Sequence, residues 1–318
     1  MIEVKDLVKK YGSHLAVDHL SFTLESGKIY GFLGPNGAGK STTMNIMTGY
    51  LGATQGSVLI DGHDILKEPE EAKKHIGYLP ELPPLYMDMT VQEYLEFAAE
   101  LKKLPKEKRE SDISEVMKLT RLQDVSDRLI KNLSKGYKQR VGLAQAILGF
   151  PEIIILDEPT VGLDPKQIIE IRELIRTLSK KHTVILSSHI LAEVREVCDY
   201  ILIISKGKLV ASDTPENLEL LRNGASSLEL EVKAAPETAR AILSTIDDID
   251  AMEMHSENEN LTRVKLETKN GADIREAVFY AFAEEKCPLL EMKTAKASLE
   301  DIFMELTQKE ESNDAGNL

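Results

Sequence analysis

The sequence predicts an α/β fold with a mixed, mostly parallel sheet, antiparallel N-terminal strands and an inserted helical subdomain, followed by a small α+β domain. Three observations predict this fold. A glycine-rich loop at 34–42 joins an apolar run to a helical pattern, four large apolar residues precede two acidic residues at 153–158, and the last ninety residues repeat a β-α-β-β-α-β order. Consecutive large apolar residues are typical of strands buried on both faces of a parallel sheet. The terminal order predicts a ferredoxin-like sandwich.

The elements of the first part follow from local patterns. Residues 1–27 alternate apolar and polar side chains in short runs, which is typical of antiparallel strands. Residues 85–148 show a mostly helical pattern, with Thr90 as an N-cap and Glu93 three residues later as its capping-box partner. We therefore predict a helical subdomain at about 85–148. The core resumes with predicted strands at 153–157, 183–187 and 200–205.

A second domain is predicted after a linker of small and polar residues at 222–227. We place the first domain at 1–222, the second at 223–308 and a frayed tail at 309–318. The predicted strands of the second domain are 228–232, 251–255, 261–266 and 289–292, and its predicted helices are 236–246, 272–285 and 299–306, the last capped by Ser298.

The glycine-rich loop fits the pattern G-x-x-x-x-G-K-[ST] in full, between a strand-like run and a helical pattern. Its members are Gly34, Pro35, Asn36, Gly37, Ala38, Gly39, Lys40, Ser41 and Thr42. Glycines let the backbone wrap around phosphates and turn its N–H groups toward them. The pattern predicts that Lys40 reaches the β- and γ-phosphates of a nucleotide and that Ser41 offers its hydroxyl to Mg²⁺.

Two carboxylates follow the apolar run Ile153–Leu156, at the strand end where open α/β sheets bind ligands. Asp157 is suited to contact Mg²⁺ directly or through another group. Glu158, one residue later, is placed to polarise an attacking water. Beside a phosphate-binding loop, this pair predicts a nucleotide-hydrolysing site.

With these motifs, the chain resembles the nucleotide-binding subunits of ATP-binding cassette (ABC) transporters over about residues 1–220. Four more segments and one residue carry the resemblance. They are Leu133–Arg140, similar to the family signature LSGGQ, Gly162–Asp164, similar to the D-loop, Leu186–His189, similar to the switch-histidine motif, Gly77–Glu81, at the Q-loop position, and Tyr11, where the family stacks an aromatic ring on adenine. The resemblance implies a P-loop ABC ATPase core.

The resemblance also implies a division of tasks among the site residues. Glu158, His189 and Lys40 are the expected catalytic residues, and Ser41, Asp157 and Glu81 the expected Mg²⁺ ligands. The signature residues Ser134, Lys135 and Gly136 are expected to cover the γ-phosphate of an ATP bound to a second subunit. The helix that Ser134 begins has free N–H groups that favour an anion.

Two residues depart from the common family pattern. Lys135 stands where the signature has its first glycine, and Glu81 stands where the Q-loop has glutamine. A lysine there is long enough to reach solvent, a phosphate or the partner subunit. A carboxylate at position 81 can ligate Mg²⁺ or hold water, but it adds negative charge beside a polyanion. Both variants are similar to those of exporter-type subunits, including drug-resistance and gliding-motility-associated ones.

The charge, the apolar runs and the cysteine count of the chain disfavour several classes of function. The chain has 318 residues and a formal net charge of −14, and residues 223–318 carry 10 basic against 21 acidic side chains, hence −11 of that total. This balance disfavours a nucleic-acid partner. No apolar run is long enough to cross a bilayer, and the N-terminus is unlike a signal peptide. Two cysteines are too few for a disulfide framework.

We therefore predict the ATP-hydrolysing subunit of an exporter, which binds ATP and Mg²⁺ and converts ATP and water to ADP and phosphate. Two such subunits, as a homodimer or a pseudo-symmetric heterodimer, would enclose two ATP molecules head to tail. A separate transmembrane permease would form the pore, and the subunit would lie peripherally on the cytoplasmic face of the membrane. The alternatives are an ABC-type ATPase acting on ribosomes or DNA, and a regulatory ATPase without a pore.

Overall fold

The computed structural model describes residues 1–220, 227–258, 260–269 and 272–295. Internal contacts divide the chain into two units, Met1–Thr214 and Pro215–Leu318. This division falls eight residues before the predicted domain boundary, because the last strand of the first unit ends at Asp213 and Pro215 opens a helix. The predicted tail at 309–318 and the helix expected at 299–306 lie outside the described residues.

The first unit contains two sheets. Its strands are β1 (Ile2–Tyr11), β2 (His14–Leu24), β3 (Ile29–Leu33), β4 (Gln55–Ile60), β5 (His63–Asp64), β6 (Ile76–Leu79), β7 (Ile153–Leu156), β8 (Thr183–Ser188), β9 (Tyr200–Ser205) and β10 (Lys208–Asp213). The first sheet is antiparallel with order β2-β1-β4-β5. The second has order β10-β9-β3-β8-β7-β6 and is parallel except for the β9–β10 pair. The predicted mixed, mostly parallel sheet is confirmed.

The helices of the first unit flank the second sheet and build the inserted subdomain. They are α1 (Lys40–Met47), α2 (Pro69–Lys74), α3 (Val91–Leu101), α4 (Lys106–Leu119), α5 (Lys135–Ile147), α6 (Pro165–Leu178) and α7 (Leu191–Val197), with 3₁₀ turns at Gln123–Val125 and Ile130–Asn132. Thr90 caps α3 in a complete capping box with Glu93, as predicted. Helices α3, α4 and α5 pack on one another and form the predicted subdomain.

The parallel strands are fully buried, which fixes where polar side chains emerge. Every residue of β3, β7 and β8 is buried. A shared hydrophobic core includes Phe32, Met44, Ile155 and Ile185 and joins the two sheets. Because the strands run in parallel, the loops after β3, β6, β7 and β8 all leave from the same edge of the sheet.

The second unit has the predicted β-α-β-β-α-β order. Its elements are α8 (Pro215–Leu220), β11 (Ser227–Val232), α9 (Pro236–Leu243), β12 (Ile249–Asn258), β13 (Leu261–Thr268), α10 (Arg275–Glu284) and β14 (Leu289–Ala295). The sheet is antiparallel with order β12-β13-β11-β14, which is the ferredoxin-like arrangement of split βαβ units. Helices α9 and α10 cover one face through a core that includes Val232, Leu243, Val278 and Phe282.

Candidate functional site

A cleft of about 580 Å³ opens at the carboxyl edge of the parallel sheet. It lies where loops leave β3, β6, β7 and β8, as the strand directions require. Its lining residues are Tyr11, His14, Ala16, Asn36, Gly37, Ala38, Gly39, Lys40, Ser41, Thr42, Glu81, Glu158, Val161 and His189. The structure therefore brings the glycine-rich loop, the Q-loop carboxylate, one strand-end carboxylate and the switch histidine into one space.

The glycine-rich loop needs glycine at two positions for reasons that the fold makes explicit. Gly39 has φ 103°, in the left-handed region, and it directly precedes α1. A Cβ at Gly34 would lie 2.2 Å from the carbonyl oxygen of Ile204, so only glycine fits beside β9. The free N–H groups of the first turn of α1 favour an anion, and the first residues of that turn, Lys40 and Ser41, line the cleft.

Lys40 supplies a buried cation at the base of the cleft. Its ammonium donates hydrogen bonds to the carbonyl oxygens of Gly34 at 2.7 Å and Pro35 at 3.2 Å. Its Nζ lies 3.9 Å from Oε1 of Glu158. Burial lowers the pKa of Lys40, and the carboxylates of Glu158, Asp157 and Glu81 partly oppose that shift. An anionic ligand with several oxygens would relieve this desolvation.

The oxygen ligands expected for Mg²⁺ meet beside Lys40. The hydroxyl of Ser41 donates to Oδ1 of Asp157 at 3.1 Å, and the hydroxyl of Ser187 donates to the same oxygen at 2.5 Å. Glu81 lines the same cleft. Among the described residues, no group of three or more His, Cys, Asp or Glu side chains is arranged to hold a metal alone. One or two carboxylates plus substrate phosphates is how Mg²⁺ is usually held, so this oxygen set fits that ion.

Glu158 and His189 form a pair that the sequence predicted only as separate residues. Nδ1 of His189 lies 3.1 Å from both carboxylate oxygens of Glu158. The backbone of Glu158 has φ 48°, and its N–H donates to the hydroxyl of Ser187 at 2.9 Å. Burial raises the pKa of Glu158, while His189 and Lys40 oppose the rise. A buried, oriented carboxylate with a raised pKa is suited to act as a general base.

Glu193 was not identified from the sequence, yet it joins the segments that carry Glu158 and His189. It lies in the first turn of α7 and is 8 % exposed. Its Oε2 accepts hydrogen bonds from the hydroxyls of Thr160 at 2.6 Å and Ser188 at 3.2 Å. A buried carboxylate needs such partners to offset its desolvation. The only signal in the sequence was an acidic residue four positions after His189, which is common on any helix.

Tyr11 lies at the entrance of the cleft. Its side chain is 48 % exposed, and the ammonium of Lys9 lies 5.2 Å from the ring centroid. An exposed aromatic face beside a phosphate-binding loop is suited to stack on a planar base. The predicted contact with adenine stays a prediction.

The signature residues lie on a different surface. Ser134 caps α5, and its hydroxyl accepts from the N–H of Tyr137 at 3.4 Å, as predicted. Ser134, Lys135 and Gly136 are not among the described residues that line the cleft. The ammonium of Lys135 instead lies against Gly162, since a Cβ on that glycine would fall 2.0 Å from its Nζ. The start of α5 therefore contributes nothing to the cleft of its own chain.

Comparison with known proteins decides the family. The ABC transporter family matches residues 17–161. The ABC transporter ATP-binding protein YhcH of Bacillus subtilis is 36 % identical and covers 96 % of both chains. The bacitracin transport ATP-binding protein BcrA of Bacillus licheniformis is 35 % identical over 96 % of this chain and 97 % of its own. This chain belongs to the ABC transporter family.

A solved structure agrees with that membership. The dimeric ATP-binding cassette solved in a post-hydrolysis state with ADP and Pi is 26 % identical, with a TM-score of 0.62 over 67 % of this chain and 98 % of that one. The protein is thus an ATP-hydrolysing subunit of an ABC transporter, as predicted. Among the described residues, none of the helices has the length and apolar character that a bilayer crossing requires.

Proposed function

We propose that this chain binds Mg-ATP in the cleft beside Lys40 and that the signature segment of a second copy completes the site. The observation that carries the proposal is the separation of the two half-sites. Lys40, Ser41 and Glu158 line the cleft, whereas Ser134 begins a helix elsewhere on the same unit. In a head-to-tail dimer with two-fold symmetry, the signature segment of each copy would face the cleft of the other, so both sites would be complete. A pseudo-symmetric heterodimer would do the same.

The chemistry follows from the groups that surround the cleft. Lys40 and the N–H groups of the loop stabilise negative charge on the β- and γ-phosphates. Glu158, held by Ser187 and His189, accepts a proton from the attacking water. His189 orients that carboxylate through Nδ1 and contacts the γ-phosphate. Tyr11 stacks on adenine.

The metal-binding proposal concerns Ser41, Asp157 and Glu81. Ser41 and Asp157 are already in contact, so these two side chains would hold the cation beside Lys40. Bound Mg²⁺ would supply charge neutralisation of the β- and γ-oxygens. Glu81 follows β6 and lines the same space, which supports a contact to the ion or to its water.

A membrane permease is the proposed partner, and export across the membrane the proposed direction. A second cleft of about 580 Å³ lies between Glu81 and the helical subdomain, lined by Tyr50, Tyr78, Leu82, Pro84 and Gln145 among others. Tyr50 and Leu82 are 81 % and 80 % exposed, an apolar surface typical of a docking site. We place the subunit on the cytoplasmic face of the membrane. Solubilised membranes should release it in a complex with a membrane protein.

The decisive variant for nucleotide binding is Lys40→Ala. It removes the buried cation that compensates the phosphates, so affinity for ATP should fall at least about 100-fold. Titration calorimetry or a fluorescent ATP analogue would measure it. Lys181→Ala, which removes an exposed lysine outside the cleft, is the matched control. Near wild-type affinity in Lys40→Ala would reject the proposed site.

A further inference from the structure

The sheet of the second unit has two unlike faces. On β11, Leu228, Leu230 and Val232 point into the core under the helices, as Val264 and Leu266 do on β13. Side chains of successive strand residues alternate between the two faces. The intervening residues therefore form the other face, and most of them are charged.

Strand register arranges these charges into two rows that cross the sheet in the order β12, β13, β11, β14. The first row is Glu253, Lys265, Glu229 and Lys293, and the second is His255, Arg263, Glu231 and Glu291. The first row alternates in sign along its whole length. The second has an imidazole and a guanidinium on one half and two carboxylates on the other. Most of these eight side chains are exposed, and the rest are half-buried.

We propose that this charged face docks face to face on the same face of a second copy, about a two-fold axis parallel to the strands and midway between β11 and β13. That rotation places β12 opposite β14 of the other copy and β13 opposite its β11, and it keeps each row opposite itself. The resulting pairs are Glu253 with Lys293, Lys265 with Glu229, His255 with Glu291 and Arg263 with Glu231, each occurring twice. Every carboxylate in the two rows thus meets a basic side chain.

Charge complementarity between the two copies depends on the orientation of the two-fold axis. A two-fold axis in the same plane but perpendicular to the strands would exchange the two rows. Lys265 would then meet Arg263 and Glu229 would meet Glu231, while the two edge strands would pair Glu253 with His255 and Lys293 with Glu291. Only half of the pairs would then be complementary. Like charges placed opposite one another are destabilising. The charge pattern therefore favours the axis parallel to the strands, for which all the pairs are complementary, over the axis perpendicular to them.

The twist of packed sheets is compatible with these pairs. Stacked sheets cross at about 30°. With strands about 4.8 Å apart, residues on the edge strands lie about 7 Å from the axis. The crossing angle therefore offsets each edge residue by about 4 Å from its partner on the other copy. Lysine and glutamate side chains span that displacement. Within one copy, Arg263 already contacts Glu231 at 3.2 Å and Lys293 contacts Glu291 at 2.7 Å, so docking extends existing pairs into a network.

The contact is small, so the association should be weak. Four strands and two rows cover a patch of roughly 300 Å² on each copy, below the about 800 Å² per partner of a standard interface. A weak contact still raises the effective concentration of one subunit near another. If the proposed ATP-dependent dimer is correct, this face would hold the two copies near each other between hydrolysis cycles.

The test uses the full chain without nucleotide and compares Glu253→Lys with Lys293→Glu. The two positions lie on opposite edges of one sheet, about 14 Å apart by strand spacing, so they do not pair within a copy. Sedimentation velocity over a concentration series should show a wild-type dimer that dissociates at high salt. Each variant alone should raise the dissociation constant at least about ten-fold, because it places like charges together twice.

An equimolar mixture of the two variants is the sharpest measurement. In the mixed dimer the ammonium introduced by Glu253→Lys meets the carboxylate introduced by Lys293→Glu, and the other pair is unchanged, so affinity should return to within about three-fold of wild type. A mixture as weak as the single variants, or a wild-type chain that stays monomeric, would overturn the proposal. Glu276→Lys, an exposed site on α10 with the same charge change, is the control. ATP affinity of all variants is measured separately, so a failed nucleotide site is distinguishable from a failed interface.

Discussion

Glu158 and Glu81 are two carboxylates in one cleft with different surroundings. Glu158 is 6 % exposed, follows a fully buried strand and is held by Ser187 and His189. Glu81 is exposed in a loop that also lines the proposed permease cleft. A fixed base is worth about 10²–10⁴-fold in rate. We therefore propose Glu158 as the general base and Glu81 as a sensing residue.

Single-turnover hydrolysis at saturating Mg-ATP separates the two carboxylates. Glu158→Gln should bind ATP but hydrolyse it at least about 100-fold more slowly, because the amide does not accept the proton. Glu81→Gln, which restores the common family residue, is the matched variant and should keep most of the activity. The opposite result, a slow Glu81→Gln and a normal Glu158→Gln, would reverse the assignment.

Glu193 is a positioning residue that acts through its hydrogen-bond partners Thr160 and Ser188. Glu193→Ala removes the acceptor shared by Thr160 and Ser188, so Glu158 and His189 lose a common support. We expect kcat to fall about ten-fold or more while the KM for ATP stays near wild type. Misplaced catalytic groups raise the barrier of the chemical step more than they weaken the binding of ATP. Glu196→Ala, on the same helix but paired with Arg172, is the control. An unchanged kcat, or an equal change in KM, would contradict this positioning.

At the scale of elements, side chains that lie outside α5 form hydrogen bonds with the backbone at both ends of this helix. Ser134 caps its N-terminus. The ammonium of Lys102, which follows α3, donates to the carbonyl oxygens of Ala146 at 3.1 Å and Leu148 at 2.8 Å at its C-terminus. A cation beside the last carbonyls also interacts favourably with the helix dipole. Lys102 thus ties two helices of the subdomain together.

Lys102→Met should lower the free energy of unfolding by about 1–3 kcal/mol at pH 10, where the folded amine is neutral, because two buried carbonyl groups lose their donor. Burial lowers the pKa of Lys102 to about 8. Between that pH and about 10.5 the folded chain has released the proton while the unfolded chain still holds it. The stability of wild type relative to the variant should therefore rise across this range, by up to about 3 kcal/mol. Denaturant unfolding at pH 7 and pH 10 measures it, and a difference independent of pH would contradict the assignment.

At the scale of the whole molecule, the proposed ATP site belongs to two copies. The cleft holds one half and the N-terminus of α5 the other. ATP stabilises a closed dimer only through affinity that differs between the closed and open states. The signature segment is where that difference would arise, because it would contact the γ-phosphate only after closure.

Ser134→Arg tests this arrangement in the slowly hydrolysing Glu158→Gln background. The added bulk and the lost cap should leave ATP binding intact but remove the ATP-dependent increase in dimer, seen by light scattering. Loss of the cap itself costs only about 1 kcal/mol, so the fold should persist. Ser111→Arg, on an exposed turn of α4, is the control. An ATP-dependent dimer of unchanged strength in Ser134→Arg would place the second half-site elsewhere.

The sequence by itself determined the features that depend on neighbours along the chain. The spacing of Gly34, Gly39 and Lys40 specifies a loop that wraps phosphate, and the run at 153–156 specifies a buried parallel strand. Thr90 and Glu93 specify a helix start, since a capping box needs only four consecutive residues. The strand and helix order of the second unit was also readable, although β12 and β13 extend beyond the predicted ends because cross-strand pairing lengthens them.

Only the tertiary structure decided which of these local features meet. Ser41 and Asp157 are 116 residues apart and share a hydrogen bond because the strands that precede them, β3 and β7, flank β8 in one sheet. Glu193 could be identified only from the folded structure, in which α7 places it between Thr160 and Ser188. The charge rows of the second unit exist only in the register of four strands. Local patterns record the conformational preferences of a segment, whereas contacts between distant segments depend on how buried surfaces pack, and that packing is a property of the folded chain.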